Sequence, residues 1–158
     1  MNKLVSTIIL RHRKENLKKC SLRGLESRTD CLFLTYPVDP IPDLSSFIIL
    51  TLDAPLLSAD DRDYGLFLVD ATWRYAAQMC ENLPQGQRRS LPRLKTAYPR
   101  YQTGCSDPDS GLASIEALYA AYLLTGRDPA GLLDRYHWRE AFLKNNEKFF
   151  GEITKLLF

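Results

Sequence analysis

The stretch Phe-Leu-Val-Asp-Ala-Thr-Trp-Arg at residues 67–74 decides the fold, because an apolar run ends there in an acid, a hydroxyl, an aromatic ring and a cation. A short apolar run bounded by turn residues predicts a buried strand, and Thr72 before helix-forming residues predicts an N-cap. Ligands of parallel sheets bind beyond the carboxyl ends of the strands, so Asp70 to Trp73 is the first candidate site. On the local pattern alone, the favoured alternative is that Thr72 only caps a helix and Trp73 only packs in the core.

Three further apolar runs resemble this one, and all four are nearly continuous rather than alternating. Such runs are typical of strands covered on both faces, as in a parallel sheet. The four predicted strands span residues 4–10, 31–36, 47–52 and 66–69. The acidic loop at 53–64 is long, and long loops in compact domains are often functional.

Apolar residues at helical spacing dominate the sequence from residue 111 onward. They predict one helix that begins after Ser110 and ends near Gly126, a short helix over 128–135, and a last helix from about Trp138 to the C terminus. Glu116 lies near the apolar face of the first of these helices. It is expected either to serve a ligand or to point along the boundary to solvent.

The composition of the 158 residues is that of a globular protein, with 45% apolar and 25% charged residues. This length suits one compact domain, or a small α/β unit with an appended helical half, and is enough to bury a full core. The formal net charge of +2 is too small to indicate nucleic-acid binding by itself. Any basic surface must therefore come from the distribution of the charges.

The four cysteines are widely and unevenly spaced, and there are only two histidines. Because a zinc site needs closer ligand pairs, we expect free thiols in a reducing compartment and no metal. The N-terminal apolar run is short and is followed by Arg-His-Arg-Lys at 11–14 rather than by a cleavage site. No run approaches the length needed to cross a bilayer, so a cytoplasmic protein without membrane contact is expected.

Two stretches concentrate positive charge. Residues 11–28 form the densest one, and residues 88–95 form a second that is followed by interleaved aromatic residues and a cation at 98–102. Such combinations hold phosphates and stack unpaired bases. The alternatives are a solvated helix face for the first stretch and, for the second, an extended connector that packs its aromatic residues inward.

Six stretches, taken in order, match the motifs of one known family. They are Lys18-Lys19-Cys20-Ser21 followed by Arg23 (K-[KR]-C-[ST]), Leu57 to Arg62 (L-S-P-x-D-R), Val69 to Trp73 (V-D-C-S-W), Leu91 to Leu94 with Ala97 and Pro99 (L-P-x-L-x-A-A-N-P), Leu112 to Leu118 (L-S-x-x-E-A-x), and Phe142-Leu143-Lys144-Asn145 (F-L-x-x-N). Together they resemble the S-adenosylmethionine-dependent aminocarboxypropyltransferases that modify small-subunit ribosomal RNA. No single motif is specific, but their order and spacing are.

Two departures from the family pattern bear on the substrate. The family's loop proline is Ala59 here, and its N-P-x-N-Y-G segment is replaced by Tyr98-Pro99-Arg100-Tyr101. If that segment contacts RNA, the target nucleotide differs. The turn at 70–73 also resembles the Asp-Thr-Trp signature of the tRNA-uridine aminocarboxypropyltransferases, which rank second because their cysteine-rich zinc motif is absent.

The resemblance implies a SPOUT-like α/β fold, in which a parallel sheet with a trefoil knot is followed by a helical C-terminal half. Residues 1–86 are expected to form the α/β cofactor-binding part. Residues 87–158 are expected to form a mainly helical part that completes the cofactor site. Periodicity alone does not predict a knot, because true knots are rare exceptions to the usual rules of chain connection.

The resemblance also implies S-adenosylmethionine as group donor and assigns residues to it. Ser21 is expected to hydrogen-bond the cofactor, and Trp73 to form the pocket wall around its methyl group, so that the aminocarboxypropyl carbon stays exposed. Asp70 is hypothesised to be the general base that deprotonates N3 of a uridine or pseudouridine. The residues expected to enclose the cofactor are Leu91, Leu94, Leu112, Ala113 and Ala117.

The implied partner is ribosomal RNA or a precursor of the small ribosomal subunit, bound by a protein that is expected to be a monomer. Two other classes stay open: a SPOUT RNA methyltransferase that exposes the methyl group, and a non-catalytic RNA-binding protein of ribosome assembly. The residues expected to hold RNA phosphates are Lys18, Lys19, Arg23, Arg88, Arg89, Arg93 and Arg100.

Overall fold

The computed structural model of the protein describes residues 6–17, 20–99 and 111–157. Five strands form one sheet in the order β2-β1-β4-β3-β5, and every pairing is parallel, as predicted. The strands are β1 (Thr7–His12), β2 (Cys31–Tyr36), β3 (Phe47–Leu50), β4 (Gly65–Asp70) and β5 (Gln87–Arg89). The helices are α1 (Trp73–Glu81), α2 (Ser114–Leu124), α3 (Arg139–Asn145) and α4 (Glu147–Leu157).

The central strands are buried on both faces because their side chains alternate between two apolar clusters. Ile9 and Leu68 pack into one cluster with α2 and with Phe142 and Phe150. Ile8 and Phe67, which directly precede Ile9 and Leu68, point to the opposite face and pack into the other cluster with Met79 of α1. The sheet is therefore the middle of three layers, with α1 on one face and α2 to α4 on the other.

The predicted elements match the structure best where an apolar run and a helix-forming run adjoin. β2 and α1 have their predicted bounds, and β4 extends the prediction by one residue at each end. β1 ends two residues later than predicted, and residues 1–5 lie outside the described residues. The three-residue strand β5 was not predicted, because it is an edge strand made of polar residues.

The helical half differs from the prediction in two places. Residues 128–135 form turns instead of a short helix, and Gly131 within them has a positive φ of 87°. The predicted last helix is divided into α3 and α4 at Asn146. The helix expected after Ser110 begins at Ser114 with Ala113 at the N-cap position, and Ser110 itself lies outside the described residues.

The division between α3 and α4 occurs at Asn146, whose side chain hydrogen-bonds to the backbone of Lys95 in another segment of the chain. The side-chain oxygen of Asn146 accepts a hydrogen bond from the backbone N–H of Lys95 at 2.8 Å. Its amide nitrogen donates to the carbonyl oxygens of Lys95 and Phe142, each at 2.9 Å. Counted from Phe142, the spacing F-L-x-x-N places the motif asparagine at Asn146, which is buried, and not at Asn145, which is exposed.

Glu116 does not point to solvent, contrary to one of the two expectations, and its hydrogen-bonding capacity is used within the protein. It is fully buried, and its carboxylate accepts hydrogen bonds from the hydroxyls of Thr96 at 2.5 Å and Tyr136 at 2.9 Å. It also accepts from the backbone N–H groups of Ala97 at 2.8 Å and Ala113 at 2.9 Å. Glu116 and Asn146 together fix the connector, residues 91–98, against the helical half.

Two further expectations concern the whole chain. Cys20, Cys31 and Cys80 are free thiols, and Cys105 lies outside the described residues. Among the residues that the structure describes, no helix is long and apolar enough to span a bilayer. The predicted division after residue 86 stays a prediction, and the structure adds that the edge strand β5 lies on its C-terminal side.

The substitution Glu116→Gln is expected to lower the free energy of unfolding by about 3 kcal/mol. The Glu116 carboxylate accepts four buried hydrogen bonds, and glutamine replaces one of its two accepting oxygens with an NH2 group that cannot accept them. Chemical denaturation measures this loss. The matched variant Glu140→Gln, at an exposed position of α3, is expected to unfold like the wild type. Equal stability of the two variants would contradict the proposed role of Glu116.

Candidate functional site

The carboxyl ends of β1 and β4 form the topological switch point of the sheet. The two strands are adjacent, and Arg11 is paired in register with Asp70. From β1 the chain continues to β2 on one side, whereas from β4 it continues to β5 on the other. The loops therefore diverge and leave a crevice, which is where open parallel sheets bind their ligands.

A buried ion pair closes the floor of this crevice. Nε of Arg11 lies 3.1 Å from Oδ2 of Asp70, and the two residues are only 9% and 4% exposed. A second nitrogen of Arg11 reaches Glu26 at 3.3 Å, and its guanidinium carbon lies 4.6 Å from the centre of the Phe33 ring. Burial lowers the pKa of Arg11, but its hydrogen bonds and charge interaction with Asp70 and Glu26 raise it above its ordinary value, so Arg11 stays charged.

Asp70 also connects two other segments to the sheet. The Cys20 thiol donates to Oδ2 of Asp70 at 3.1 Å, and the Ser114 hydroxyl donates to Oδ1 at 2.8 Å. The pKa of the Cys20 thiol is raised to about 12, mainly by burial and to a smaller extent by the charge and hydrogen bond of Asp70. The thiol therefore remains a protonated donor at neutral pH, not a nucleophile.

A second carboxylate stands beside Asp70. The side-chain ligand atoms of Glu15, Cys20 and Asp70 all lie within 4.8 Å of one another. Burial and the negative charge of Asp70 raise the pKa of Glu15 to about 7, although Arg11 opposes the shift. Arg11 already lies beside Asp70, where a metal ion would have to bind, and Cys20 keeps its proton. The group of Glu15, Cys20 and Asp70 is therefore suited to proton transfer rather than to metal binding.

Of the predicted cofactor residues, Ser21 and the start of α2 are joined near this edge. The Ser21 hydroxyl accepts a hydrogen bond from the backbone N–H of Ile115 at 3.2 Å, which joins the loop after β1 to the start of α2. The backbone of Trp73 begins α1, and its side chain lies outside the described residues. Leu94 is buried, Ala113 is at the N-cap of α2, and Leu91, Leu112 and Ala117 are half-buried against the core.

These surroundings fit S-adenosylmethionine in chemistry. Half-buried apolar side chains suit its adenine ring, a hydroxyl suits its ribose, and two neighbouring carboxylates suit its cationic sulfonium and ammonium groups.

Thr72 lies at the N-cap position of α1, as predicted, but its side chain makes no hydrogen bond to the helix.

The predicted RNA-binding residues separate into three groups. Arg88 and Arg89 are engaged by the protein itself, since Arg88 donates to the Cys80 carbonyl at 3.1 Å and Arg89 pairs with the buried Asp61 at 3.3 Å. Arg93 and Arg23 are exposed, and Arg23 lies at a cavity of about 260 Å³ between residues 21–28 and 131–136. Lys18, Lys19 and Arg100 lie outside the described residues.

An aromatic–basic rim beside the crevice is formed by His12, Lys14, Tyr36, Arg74 and Tyr75. The sequence analysis placed Lys14 in a basic stretch expected to hold phosphates but missed the aromatic members of the rim. His12 stacks on Tyr75 with 4.1 Å between ring centroids. Lys14 and Arg74 lie 5.7 and 5.5 Å from the centre of the Tyr75 ring. His12 and Tyr36 end adjacent strands and Tyr75 is in the first turn of α1, so the sequence signal was aromatic residues at element ends next to cations.

Known proteins resemble this chain over most of its length. The family model described as Ribosome biogenesis protein, C-terminal, matches residues 48–156. A 16S rRNA aminocarboxypropyltransferase from Methanocaldococcus jannaschii is 28% identical over 138 residues, covering 83% of this chain and 76% of that protein. The structure of the SAM-dependent rRNA:acp-transferase Tsr3 from Vulcanisaeta distributa has a TM-score of 0.72 at 23% identity, covering 95% of this chain and 83% of that one. The last likeness establishes the fold.

The substitution Arg11→Gln is expected to destabilise the protein by about 3 kcal/mol, because it leaves the Asp70 carboxylate buried without its cation. The matched control is Arg13→Gln, at an exposed position two residues away, which is expected to change stability by less than about 0.5 kcal/mol. Urea unfolding of both variants measures the difference. If Arg11→Gln were as stable as Arg13→Gln, the ion pair would not hold the site together.

Proposed function

The chain belongs to the Ribosome biogenesis protein, C-terminal, family, and on that premise we propose that it transfers the 3-amino-3-carboxypropyl group of S-adenosylmethionine to a uridine or pseudouridine of small-subunit ribosomal RNA. The relative from M. jannaschii is named as an enzyme of this activity on 16S rRNA. The observation that carries the proposal is the convergence of Cys20, Asp70 and Ser114, from three of the family-like motifs, on one crevice.

The residues around the crevice have separate roles in binding the cofactor. When bound, S-adenosylmethionine supplies an electrophilic carbon activated by its sulfonium. Ser21 orients the nucleoside part, and the half-buried Leu91 and Leu112 exclude water. The carboxylates of Asp70 and Glu15 place negative potential where the cationic end is held. We assign to Trp73 the role of covering the methyl group, which leaves the aminocarboxypropyl chain exposed to the incoming base.

The proposal includes finer features of the fold and its setting. The chain is proposed to carry a SPOUT-type trefoil knot, for which the all-parallel sheet and the following helices are the support. It is further proposed to divide into residues 1–86 and 87–158, to act as a monomer and to work in the cytoplasm.

The aromatic–basic rim is the proposed entry surface for RNA. Tyr36 and Tyr75 are half-buried aromatic residues, and Lys14 and Arg74 are exposed cations. Stacking with adjacent phosphate contacts is the usual way in which proteins hold single-stranded RNA. Because the rim adjoins the ends of β1 and β4, a base held there is close to Asp70.

The reaction is tested with S-adenosylmethionine carrying distinguishable labels on its methyl and carboxyl carbons. We expect the carboxyl label to enter small-subunit ribosomal RNA and methylthioadenosine to be released. Methyl label in the RNA would indicate a methyltransferase instead, and carboxyl label in transfer RNA alone would assign the second family. The absence of both labels, together with no cofactor binding, would leave an RNA-binding assembly protein.

The rim is tested by the salt dependence of RNA binding. Each of Lys14→Ala and Arg74→Ala is expected to reduce the slope of log K against log salt by about 0.7, because each removes one phosphate contact on a single strand. Lys148→Ala, at an exposed position of α4, serves as the control with an unchanged slope. Unchanged slopes in both rim variants would place the RNA elsewhere.

A further inference from the structure

The transfer that we propose requires a group that accepts a proton. N3 of a uridine or pseudouridine is protonated at neutral pH, so its lone pair becomes available only when the proton leaves. A general base acts best when its pKa lies near the working pH and when its oxygen is free to reach the proton. Two carboxylates at the crevice, those of Asp70 and Glu15, are candidates for this base.

Asp70 is poorly placed to take a proton, because its oxygens are already occupied. Oδ2 accepts from the guanidinium of Arg11 and from the thiol of Cys20, each at 3.1 Å. Oδ1 accepts from the hydroxyl of Ser114 at 2.8 Å. A proton arriving at Asp70 would displace one of these donors and neutralise the partner of a buried cation, which is costly.

Glu15 is placed differently. It lies in the turn after β1, where its backbone N–H donates to the His12 carbonyl at 2.9 Å, and it is half-buried. Among the described residues, none donates a hydrogen bond to its carboxylate. Its carboxylate lies within 4.8 Å of the Cys20 thiol and of the Asp70 carboxylate, and Glu15 is less buried than either residue. Within the described part of the chain, the Glu15 carboxylate is therefore an acceptor without a hydrogen-bond donor, beside the fully engaged carboxylate of Asp70.

We propose that Glu15 is the catalytic base that accepts the N3 proton, and that Asp70 is a positioning residue. This assignment rests on the proposed aminocarboxypropyl transfer. The N3–H bond breaks and its proton passes to the Glu15 carboxylate. The N3 electron pair forms the bond to the aminocarboxypropyl carbon, the carbon–sulfur bond breaks, and its electron pair remains on sulfur as neutral methylthioadenosine.

The electrostatic surroundings support this division of roles. Among the residues that the structure describes, the groups that face Glu15 are Asp70 from β4, Arg11 from β1, Cys20 from the loop after β1 and Tyr98 from the connector. Burial and the charge of Asp70 raise the pKa of Glu15 to about 7, against the opposing effect of Arg11. A pair of carboxylates whose surroundings differ in this way is typical of sites where the two groups have different roles.

The pH dependence of transfer tests the assignment. For the wild type, kcat/KM is expected to fall as the pH drops below about 7, because Glu15 becomes protonated. Glu15→Gln is expected to lower kcat at least 100-fold, by roughly the contribution of a general base, and to lose this acidic limb. Asp70→Asn is expected to keep an acidic limb but shift it to lower pH, since the charge that raises the pKa of Glu15 is gone. Glu152→Gln, exposed on α4, is the matched control.

A second readout needs no cofactor. The folded-state pKa of Glu15 lies above its ordinary value, so the stability that its proton contributes is present at low pH and is lost as the pH rises towards 7 and beyond. The Tm of Glu15→Gln relative to the wild type is therefore expected to increase between pH 5 and pH 8. Glu152→Gln is expected to show no such trend.

Several results would overturn the assignment. One is wild-type kcat and an unchanged acidic limb in Glu15→Gln, and another is a loss confined to KM for the cofactor. A Tm difference that does not depend on pH would also count against it. If the wild type transfers no carboxyl label to RNA, the proposed function fails and the assignment of Glu15 falls with it.

Discussion

The ion pair between Arg11 and Asp70 is the interaction on which the rest of the site depends. Two charges are stable in the floor of a crevice only if they are paired and their remaining hydrogen-bonding capacity is satisfied. Here β1 and β4 supply one charge each in register, and Cys20 and Ser114 complete the shell of Asp70. The loop after β1 and the start of α2 are thereby held at the switch point, where the topology leaves room for a ligand.

The helical half is attached to this centre by a second set of buried polar contacts. Glu116 binds the connector at Thr96 and Ala97, and Asn146 binds it at Lys95. An irregular segment has backbone groups that need partners, and these two side chains supply them. The apolar residues of the connector, Leu91 and Leu94, are consequently fixed near α2. The pocket wall is therefore built by residues that are far apart in the sequence.

The sequence predicted the parallel sheet and α1, because continuous apolar runs and strand-to-helix turns are local signals. It did not predict β5, whose three polar residues are a strand only because β3 offers a free edge. The division of α3 from α4 was also beyond local reasoning, since it depends on Asn146 meeting Lys95 across the fold. Within the candidate site, the family motifs point to Asp70 and Ser21, and their roles stay predictions. Glu15 belongs to no motif, and only the approach of the strand ends shows its carboxylate beside that of Asp70.

The most direct test of the account is a crystal structure of the protein with S-adenosylmethionine bound. The account predicts that the sulfonium lies beyond the carboxyl ends of β1 and β4, with the aminocarboxypropyl chain facing Glu15 and Asp70 and the methyl group turned towards Trp73. A cofactor seated in the cavity between residues 21–28 and 131–136 would contradict it. So would a cofactor that presents its methyl group to Glu15, because the ion-paired crevice would then not select the carbon that is transferred.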